Sequence, residues 1–293
     1  MKMLISAFRF LVFSNIYVSI CALTFTVKTA LLLYGNNGDV KVNLLVFFAT
    51  LFLYCFHRIY HRSKMLPEER GEDRHHWADE YKVAYYSITG ISFVAATILM
   101  FYMPMRVWIL LIPVGVLGLG YSLPIIPTKN GWKRLRALSW LKAVWIAIAY
   151  GWLTTFIPVV FNSGIRNLSD PDVLCVFARS CLFVFVLVIP FDIRDIQHDA
   201  KNGVKSLPVI LGVDRAIQIA MLLLMAFVLL VLLQLQYFHL SSKVATALCI
   251  SALEAALIVP LCKTAKPDLF YPLAIETSMI FHWVVIVIAI NYF

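Results

Sequence analysis

Residues 181–200 read CLFVFVLVIPFDIRDIQHDA, an apolar run that ends in three closely spaced aspartates. Asp192, Asp195 and Asp199 follow one another at spacings of three and four residues, so on a helix they project from one face. Three close carboxylates repel one another unless a cation lies between them. Because Mg²⁺ binds a few carboxylates together with phosphate oxygens and water, this stretch predicts a magnesium-bound diphosphate at the end of an apolar helix.

The whole chain has the composition of an integral membrane protein. Of its 293 residues, 61% are hydrophobic and 14% are charged, whereas a soluble domain has roughly 45–50% apolar and about 25% charged residues. This composition excludes a soluble globular enzyme, a disordered protein and a secreted disulfide scaffold. The six cysteines all lie in apolar runs, where we expect them to pack as small apolar residues.

Nine apolar runs are each long enough to cross a hydrocarbon layer of about 30 Å. They are apolar on every side rather than alternating, which favours helices over the strands of a membrane barrel. We therefore expect a single all-α membrane domain over residues 1–293. The nine predicted transmembrane helices cover about 10–34, 42–60, 82–103, 106–126, 138–161, 172–191, 211–238, 243–262 and 271–292.

The basic residues are distributed unequally between the two ends of these predicted helices. With the N-terminus inside, 19 of the 25 lysines and arginines lie on one side, and the positive-inside rule makes that side cytoplasmic. The chain is then a multi-pass protein of the cell (inner) membrane, with its C-terminus on the opposite side. The three aspartates share the cytoplasmic side, so we expect the site to open there. This topology also accounts for the net charge of +9, and no nucleic-acid partner is expected.

A longer stretch around the aspartates resembles a known motif. Residues 192–212 read DIRDIQHDAKNGVKSLPVILG and resemble the second aspartate motif of the UbiA superfamily of intramembrane prenyltransferases. That motif has a D-x-x-x-D core, often preceded by another aspartate. Asp195 and Asp199 match the core, and Asp192 matches the preceding aspartate. The tail of the motif is matched by Gly203, Ser206, Leu207, Leu211 and Gly212.

The resemblance implies an activity and a set of site residues. Such enzymes bind a polyprenyl diphosphate through Mg²⁺, ionise it and transfer the prenyl group to a hydrophobic acceptor, which is an aromatic compound, a quinone precursor or a lipid. By resemblance, Asp192, Asp195 and Asp199 would hold Mg²⁺ and act in catalysis. The residues that would contact the phosphates are Arg58, Lys129, Arg194 and Lys201.

A second region resembles the family less closely. After the fourth predicted helix, residues 121–132 read YSLPIIPTKNGW, which looks like the Tyr-x-x-x-Lys region of the family. The residue four positions after Tyr121 is Ile125, and the first lysine is Lys129. Lys142, near the start of the fifth helix, is another candidate for substrate binding. Tyr121 is equally well interpreted as an aromatic anchor at the membrane interface.

The first aspartate motif of the family, N-x-x-x-D-x-x-x-D after the second helix, has no counterpart. The equivalent residues 54–62 read YCFHRIYHR and contain no carboxylate. Two interpretations are open. His57, Arg58, His61 and Arg62 can replace one Mg²⁺ as a phosphate clamp, with Arg58 acting in catalysis. Alternatively, the motif is lost, and the protein is a catalytically silent or divergent binder of lipid diphosphates.

Glu254 lies within the eighth apolar run. A carboxylate at this depth is costly and indicates a functional residue, or it is protonated and hydrogen-bonded to a neighbouring helix. A polar interior also raises the possibility of a transporter. That class is less expected, because the sequence shows no inverted repeat and no pair of helices broken by glycine or proline.

Overall fold

The computed structural model describes residues 2–62, 77, 80–124, 126–128, 131–135, 141–238, 240–264 and 266–291. Across these residues the chain is almost entirely helical, and nine helical stretches are long and apolar enough to cross a membrane. The predicted all-α membrane architecture is confirmed. We number these stretches as spans 1 to 9. They run over Ile16–Tyr34, Val40–His61, Lys82–Phe101, Met105–Ser122, Leu141–Ser163, Pro171–Arg194, Val213–Tyr237, Ser242–Lys263 and Tyr271–Asn291.

The regular elements have the following bounds. The α-helices are α1 Lys2–Phe13, α2 Ile16–Tyr34, α3 Val40–Arg62, α4 Lys82–Phe101, α5 Met105–Ser122, α6 Leu141–Gly151, α7 Ile157–Ser163, α8 Pro171–Arg194, α9 Ile196–Lys201, α10 Leu207–Leu211, α11 Val213–Tyr237, α12 Ser242–Ile258 and α13 Thr277–Asn291. Two π-helical turns cover Trp152–Phe156 and Tyr271–Glu276, and two 3₁₀ turns cover Ile165–Ser169 and Val259–Lys263. A small hairpin is formed by β1 Ile126–Thr128 and β2 Gly131–Lys133.

Span 1 begins at Ile16 rather than near residue 10, because the chain breaks between α1 and α2. Asn15 has the left-handed φ of 64°, a conformation that asparagine adopts more readily than most residues. Its side chain is buried and donates a hydrogen bond of 2.7 Å to the Tyr85 hydroxyl. The apolar run therefore contains two helices, and the second one is the span.

The hairpin lies between spans 4 and 5, where the all-α prediction has no strands. Ile126 pairs with Lys133, and Thr128 pairs with Gly131. The hairpin reverses the chain over a few residues, so Arg134 follows it directly. Lys129, which the sequence places between the two strands, lies outside the described residues.

Span 6 runs through the interior of the bundle. Asp170 caps the start of α8 by accepting a hydrogen bond from the backbone of Asp172, as expected of an N-cap aspartate. The helix packs against α6 and α11. At the α6 contact, a Cβ on Gly151 would lie 2.5 Å from the Cys181 sulfur, so glycine permits the close approach. Span 6 thus packs between span 5 and span 7.

The outer face of the bundle is apolar, as a lipid-facing surface requires. On α11, Leu222, Met225 and Leu229 are each more than half exposed, and their spacing places them on one helical face. On the inner face of the same helix, Ala220 and Phe227 are fully buried. Span 7 therefore turns one side to lipid and the other to the core.

Candidate functional site

A cavity of about 410 Å³ lies where α8 ends. It brings together most of the residues that the sequence singles out. They are His57, Arg58, His61, Tyr121, Lys142, Asp192, Arg194 and Asp195. Residues that lie far apart along the chain therefore form one site.

The cavity continues from this charged end into an apolar interior. Leu187 and Val184 line it on α8, and Val184 lies about 12 Å before Asp192 along the helix at 1.5 Å per residue. Ile146 and Ala149 of α6, which packs against α8, line the same space. The cavity can therefore accept a molecule with an anionic head and an apolar tail.

Two of the three aspartates share one lysine. Lys142 Nζ lies 2.7 Å from Asp192 Oδ1 and 3.1 Å from Asp199 Oδ2. The side chains of Lys142, Asp192 and Asp199 are 6%, 1% and 0% exposed. The contact with Asp199 is both a hydrogen bond and an ion pair, and the contact with Asp192 is an ion pair. We call these three side chains the Lys142 triad.

The third aspartate points elsewhere. Asp195 Oδ1 accepts a hydrogen bond of 2.7 Å from Arg194 Nε, and its other oxygen accepts one of 3.2 Å from Nη2. Asp195 ends α8, and the new helix α9 begins after it. Asp195 therefore pairs with Arg194, whereas the other two carboxylates share Lys142.

The described part of the chain contains no group of three or more His, Cys, Asp or Glu side chains placed to hold a metal ion. That Asp192, Asp195 and Asp199 bind Mg²⁺ remains a prediction, and the arrangement of their side chains does not favour such binding. Mg²⁺ requires oxygen ligands at about 2.0–2.1 Å, and the Lys142 ammonium already lies between two of the carboxylates. The residues present do not fit a metal ion at this pair.

The stretch without carboxylates contributes cations and imidazoles to the cavity. Arg58 donates a hydrogen bond of 2.5 Å from Nη1 to the backbone carbonyl of Phe13, which fixes the guanidinium at the cavity wall. His57 Nδ1 lies 2.6 Å from the Ser122 hydroxyl. His61 approaches the ring of His198, with 5.9 Å between the ring centres. The side chain of Arg62 lies outside the described residues.

Arg194 lies beside aromatic rings at the end of α8. Its guanidinium carbon is 5.2 Å from the ring centres of both Phe191 and Tyr271, within the range of a cation–π interaction. Tyr121 lies next to His57, with 5.6 Å between the ring centres. Both residues line the cavity, and their roles in substrate binding stay predictions.

The remaining predicted residues are placed differently. Lys201 ends α9 with an exposed side chain and is not among the described residues that line the cavity. Glu254 accepts a hydrogen bond of 2.9 Å from the Ser278 hydroxyl and also lies outside the described lining. Of the two interpretations of Glu254, the structure thus favours a carboxyl hydrogen-bonded to a neighbouring helix.

The cavity also contains functional groups that the sequence does not assign to it. Arg134 reaches it because the hairpin ends there, and Glu276 reaches it from the π-helical turn of span 9. Tyr54, Trp145 and Tyr150 add aromatic rings. The only sequence signal for Arg134 is its position in a basic loop, and an aromatic residue in an apolar run carries no signal of its own.

Comparison with known proteins identifies the family. A model of the UbiA prenyltransferase family matches residues 81–285, which is more than half of the chain. The chain belongs to the UbiA prenyltransferase family. No curated protein matches this member of the UbiA family.

Solved structures share its fold. A UbiA homologue from Archaeoglobus fulgidus bound to GPP and Mg²⁺ has a TM-score of 0.65 at 14% identity, covering 95% of this chain and 99% of that one. The apo structure of a UbiA homologue from Aeropyrum pernix K1 has a TM-score of 0.60 at 16% identity, covering 94% of each chain. A digeranylgeranylglyceryl phosphate synthase has a TM-score of 0.57 at 16% identity, covering 99% of this chain and 98% of that one. At these identities the comparison shows the UbiA fold.

Proposed function

We propose that this UbiA family member is an intramembrane prenyltransferase, which takes a polyprenyl diphosphate and transfers its prenyl group to a hydrophobic acceptor. The observation that carries this proposal is the cavity, since its charged end suits a diphosphate and its apolar interior suits an isoprenoid chain. The A. fulgidus homologues bound to GPP or DMAPP with Mg²⁺ support it. The acceptor class is an aromatic compound, a quinone precursor or a lipid.

The side chains of the cavity would act on the diphosphate through charge. Arg58 and Arg194 are fixed by neighbouring groups before any substrate arrives, and preorganised cations stabilise a leaving group that gains negative charge. Tyr54 and Tyr150 line the interior, and ring faces stabilise cations such as the allylic cation formed on ionisation. The A. fulgidus homologues bind Mg²⁺ together with their substrates, but the Asp192 and Asp199 pair of this chain does not fit a metal ion, so we assign the charge stabilisation to the side chains of the cavity.

We further propose that the cavity opens to the cytoplasm. The support is the unequal distribution of lysine and arginine along the sequence, which sets the orientation of multi-pass proteins. The protein would then take its diphosphate substrate from the cytoplasmic side of the cell membrane.

The function is tested with purified protein in detergent, radiolabelled prenyl diphosphates of several lengths and a panel of acceptors. The proposal expects diphosphate release together with a labelled, extractable product. The matched control is Asp214→Asn, because Asp214 forms an exposed ion pair with Lys263 outside the described cavity lining. A protein that binds no prenyl diphosphate contradicts the proposal.

A second candidate is a catalytically silent protein that binds lipid diphosphates. One observation favours it: the stretch at 54–62 contains no carboxylate. The same experiment separates the two functions, since a silent protein binds the labelled diphosphate and releases no diphosphate with any acceptor.

A further inference from the structure

We propose that Lys142 is the resident cation of Asp192 and Asp199, taking the place of a divalent metal ion at this carboxylate pair. An ammonium group carries one compact charge and three donors. Lys142 lies within 2.7 Å of one carboxylate and 3.1 Å of the other. It therefore offsets the repulsion between two buried acids.

The contacts of the Lys142 triad are shielded from solvent. All three side chains of the triad are less than a tenth exposed, so water does little to screen them. A buried carboxylate left without its cation is strongly destabilising. Lys142 lies in the first turn of α6, whereas its partners lie on α8 and α9. The lysine thus also ties the end of span 6 to span 5.

A second stretch of the chain that lines the cavity supports the same conclusion independently. Residues 54–62 present His57, Arg58 and His61 to the cavity without a carboxylate. Where the family carries its first aspartate motif, this chain therefore presents cations and imidazoles. The other described carboxylates of the lining, Asp195, Asp268 and Glu276, form no group with the Lys142 triad that is placed to hold a metal ion.

The consequence for substrate rests on the proposed function. A prenyl diphosphate in the cavity would be bound by side-chain cations that line it, namely Arg58, Arg134 and Arg194. We therefore expect the affinity for a prenyl diphosphate to depend little on added divalent ions.

The first experiment measures Mn²⁺ binding by electron paramagnetic resonance in detergent, without any substrate. We expect Asp192→Asn to leave the Mn²⁺ binding of the unmodified protein unchanged. Lys142→Met should create a new Mn²⁺ site and bind Mn²⁺ at least about tenfold more tightly than the unmodified protein does. Adding Asp199→Asn to Lys142→Met should abolish this site. The matched control is Lys263→Met, which removes the lysine of an exposed ion pair and should create no site. Mn²⁺ binding by the unmodified protein that Asp192→Asn abolishes would overturn the inference.

The second experiment needs no variant, so it does not depend on whether Lys142→Met folds. The probe is a geranylgeranyl thiolodiphosphate that resists ionisation, measured with excess Mg²⁺ or with EDTA. We expect the two dissociation constants to differ by less than about tenfold. Binding that is lost in EDTA overturns the inference and leaves the proposed function intact. Absence of binding under both conditions refutes the proposed function, and the Mn²⁺ measurement then decides the inference alone.

Discussion

Replacing Arg58 with alanine tests whether the cations of span 2 act on the diphosphate. Arg58 lines the cavity, and its Nη1 donates to the carbonyl of Phe13 at the end of α1. Its guanidinium carbon also lies 6.0 Å from the ring centre of Tyr85. These contacts hold the positive charge in place before substrate binds, which is the condition for stabilising a developing charge at no cost in reorganisation.

The size of the effect follows from this geometry. Loss of one preorganised donor to a developing negative charge lowers turnover by about 10²-fold, or about 2.7 kcal/mol in activation free energy. The affinity for substrate should fall less, because the interaction strengthens as the diphosphate departs. Removing the hydrogen bond to Phe13 also lowers the free energy of unfolding, by about 1.5–3 kcal/mol for a charged donor.

A matched variant separates catalysis from folding. Arg106 Nη2 donates a hydrogen bond of 2.8 Å to the carbonyl of Phe161, and it is not among the described residues that line the cavity. Arg106→Ala should therefore lower the melting temperature in detergent and leave kcat near that of the unmodified protein. The assay is steady-state release of diphosphate, analysed as kcat and KM. Equal losses of kcat in Arg58→Ala and Arg106→Ala would refute a catalytic role for Arg58.

Three further predictions concern binding, packing and topology. Asp199→Asn should change the affinity for a prenyl diphosphate by less than about tenfold, because Asp199 contacts the Lys142 ammonium and is not among the described residues that line the cavity, and Asp214→Asn should behave likewise; an equilibrium binding assay compares them, and a much larger loss in Asp199→Asn alone would count against a resident lysine. Gly151→Ala should lower the free energy of unfolding by about 1–3 kcal/mol, because its Cβ would overlap a cysteine sulfur, and an unchanged melting curve contradicts this. Asn202→Cys should react with impermeant thiol reagents from the cytoplasmic face and Arg166→Cys from the other, against the unmodified chain as background; labelling of position 202 from outside would reverse the orientation.

The membrane spans are predictable from the sequence because their signal is local. An apolar run such as 213–237 is long enough by itself to cross the bilayer, and no distant contact is needed to recognise it. The helix break inside the first apolar run carries no such local signal. At this break Asn15 donates a hydrogen bond to Tyr85 on another span, so the composition of residues 10–34 does not reveal the break.

The site is predictable in its members but not in its pairings. The motif beginning at Asp192 carries its own spacing, and most of the residues expected near it do line the cavity. The pairing of Lys142 with Asp192 and Asp199 joins elements 50 or more residues apart. The helical spacing of Asp192 and Asp199 places them on one face, but it does not reveal which side chain of another span they contact.

The order of stability among triad variants distinguishes a resident lysine from an empty metal site. Lys142→Met leaves two buried carboxylates without their cation, and breaking a buried pair in this way costs about 3–5 kcal/mol. Asp192→Asn costs less, because the ion pair between Lys142 and Asp199 at 3.1 Å remains. Adding Asp192→Asn to Lys142→Met should restore part of the lost stability, since the double variant no longer holds two close buried carboxylates without Lys142, and neighbouring sites are not additive.

Thermal melting in detergent with EDTA measures this order. The exposed pair of Lys263 and Asp214 provides the reference, because its side chains are 62% and 69% exposed and such pairs contribute about 0–1 kcal/mol. If the carboxylates instead formed an empty metal site, the melting temperature of Lys142→Met in EDTA would be close to that of the unmodified protein. Asp192→Asn would then be at least as stable as the unmodified protein. Removal of the lysine makes the net charge of the triad more negative, whereas removal of one acid makes it more positive. A resident lysine therefore predicts that Lys142→Met is less stable than both Asp192→Asn and the double variant, and an empty metal site does not.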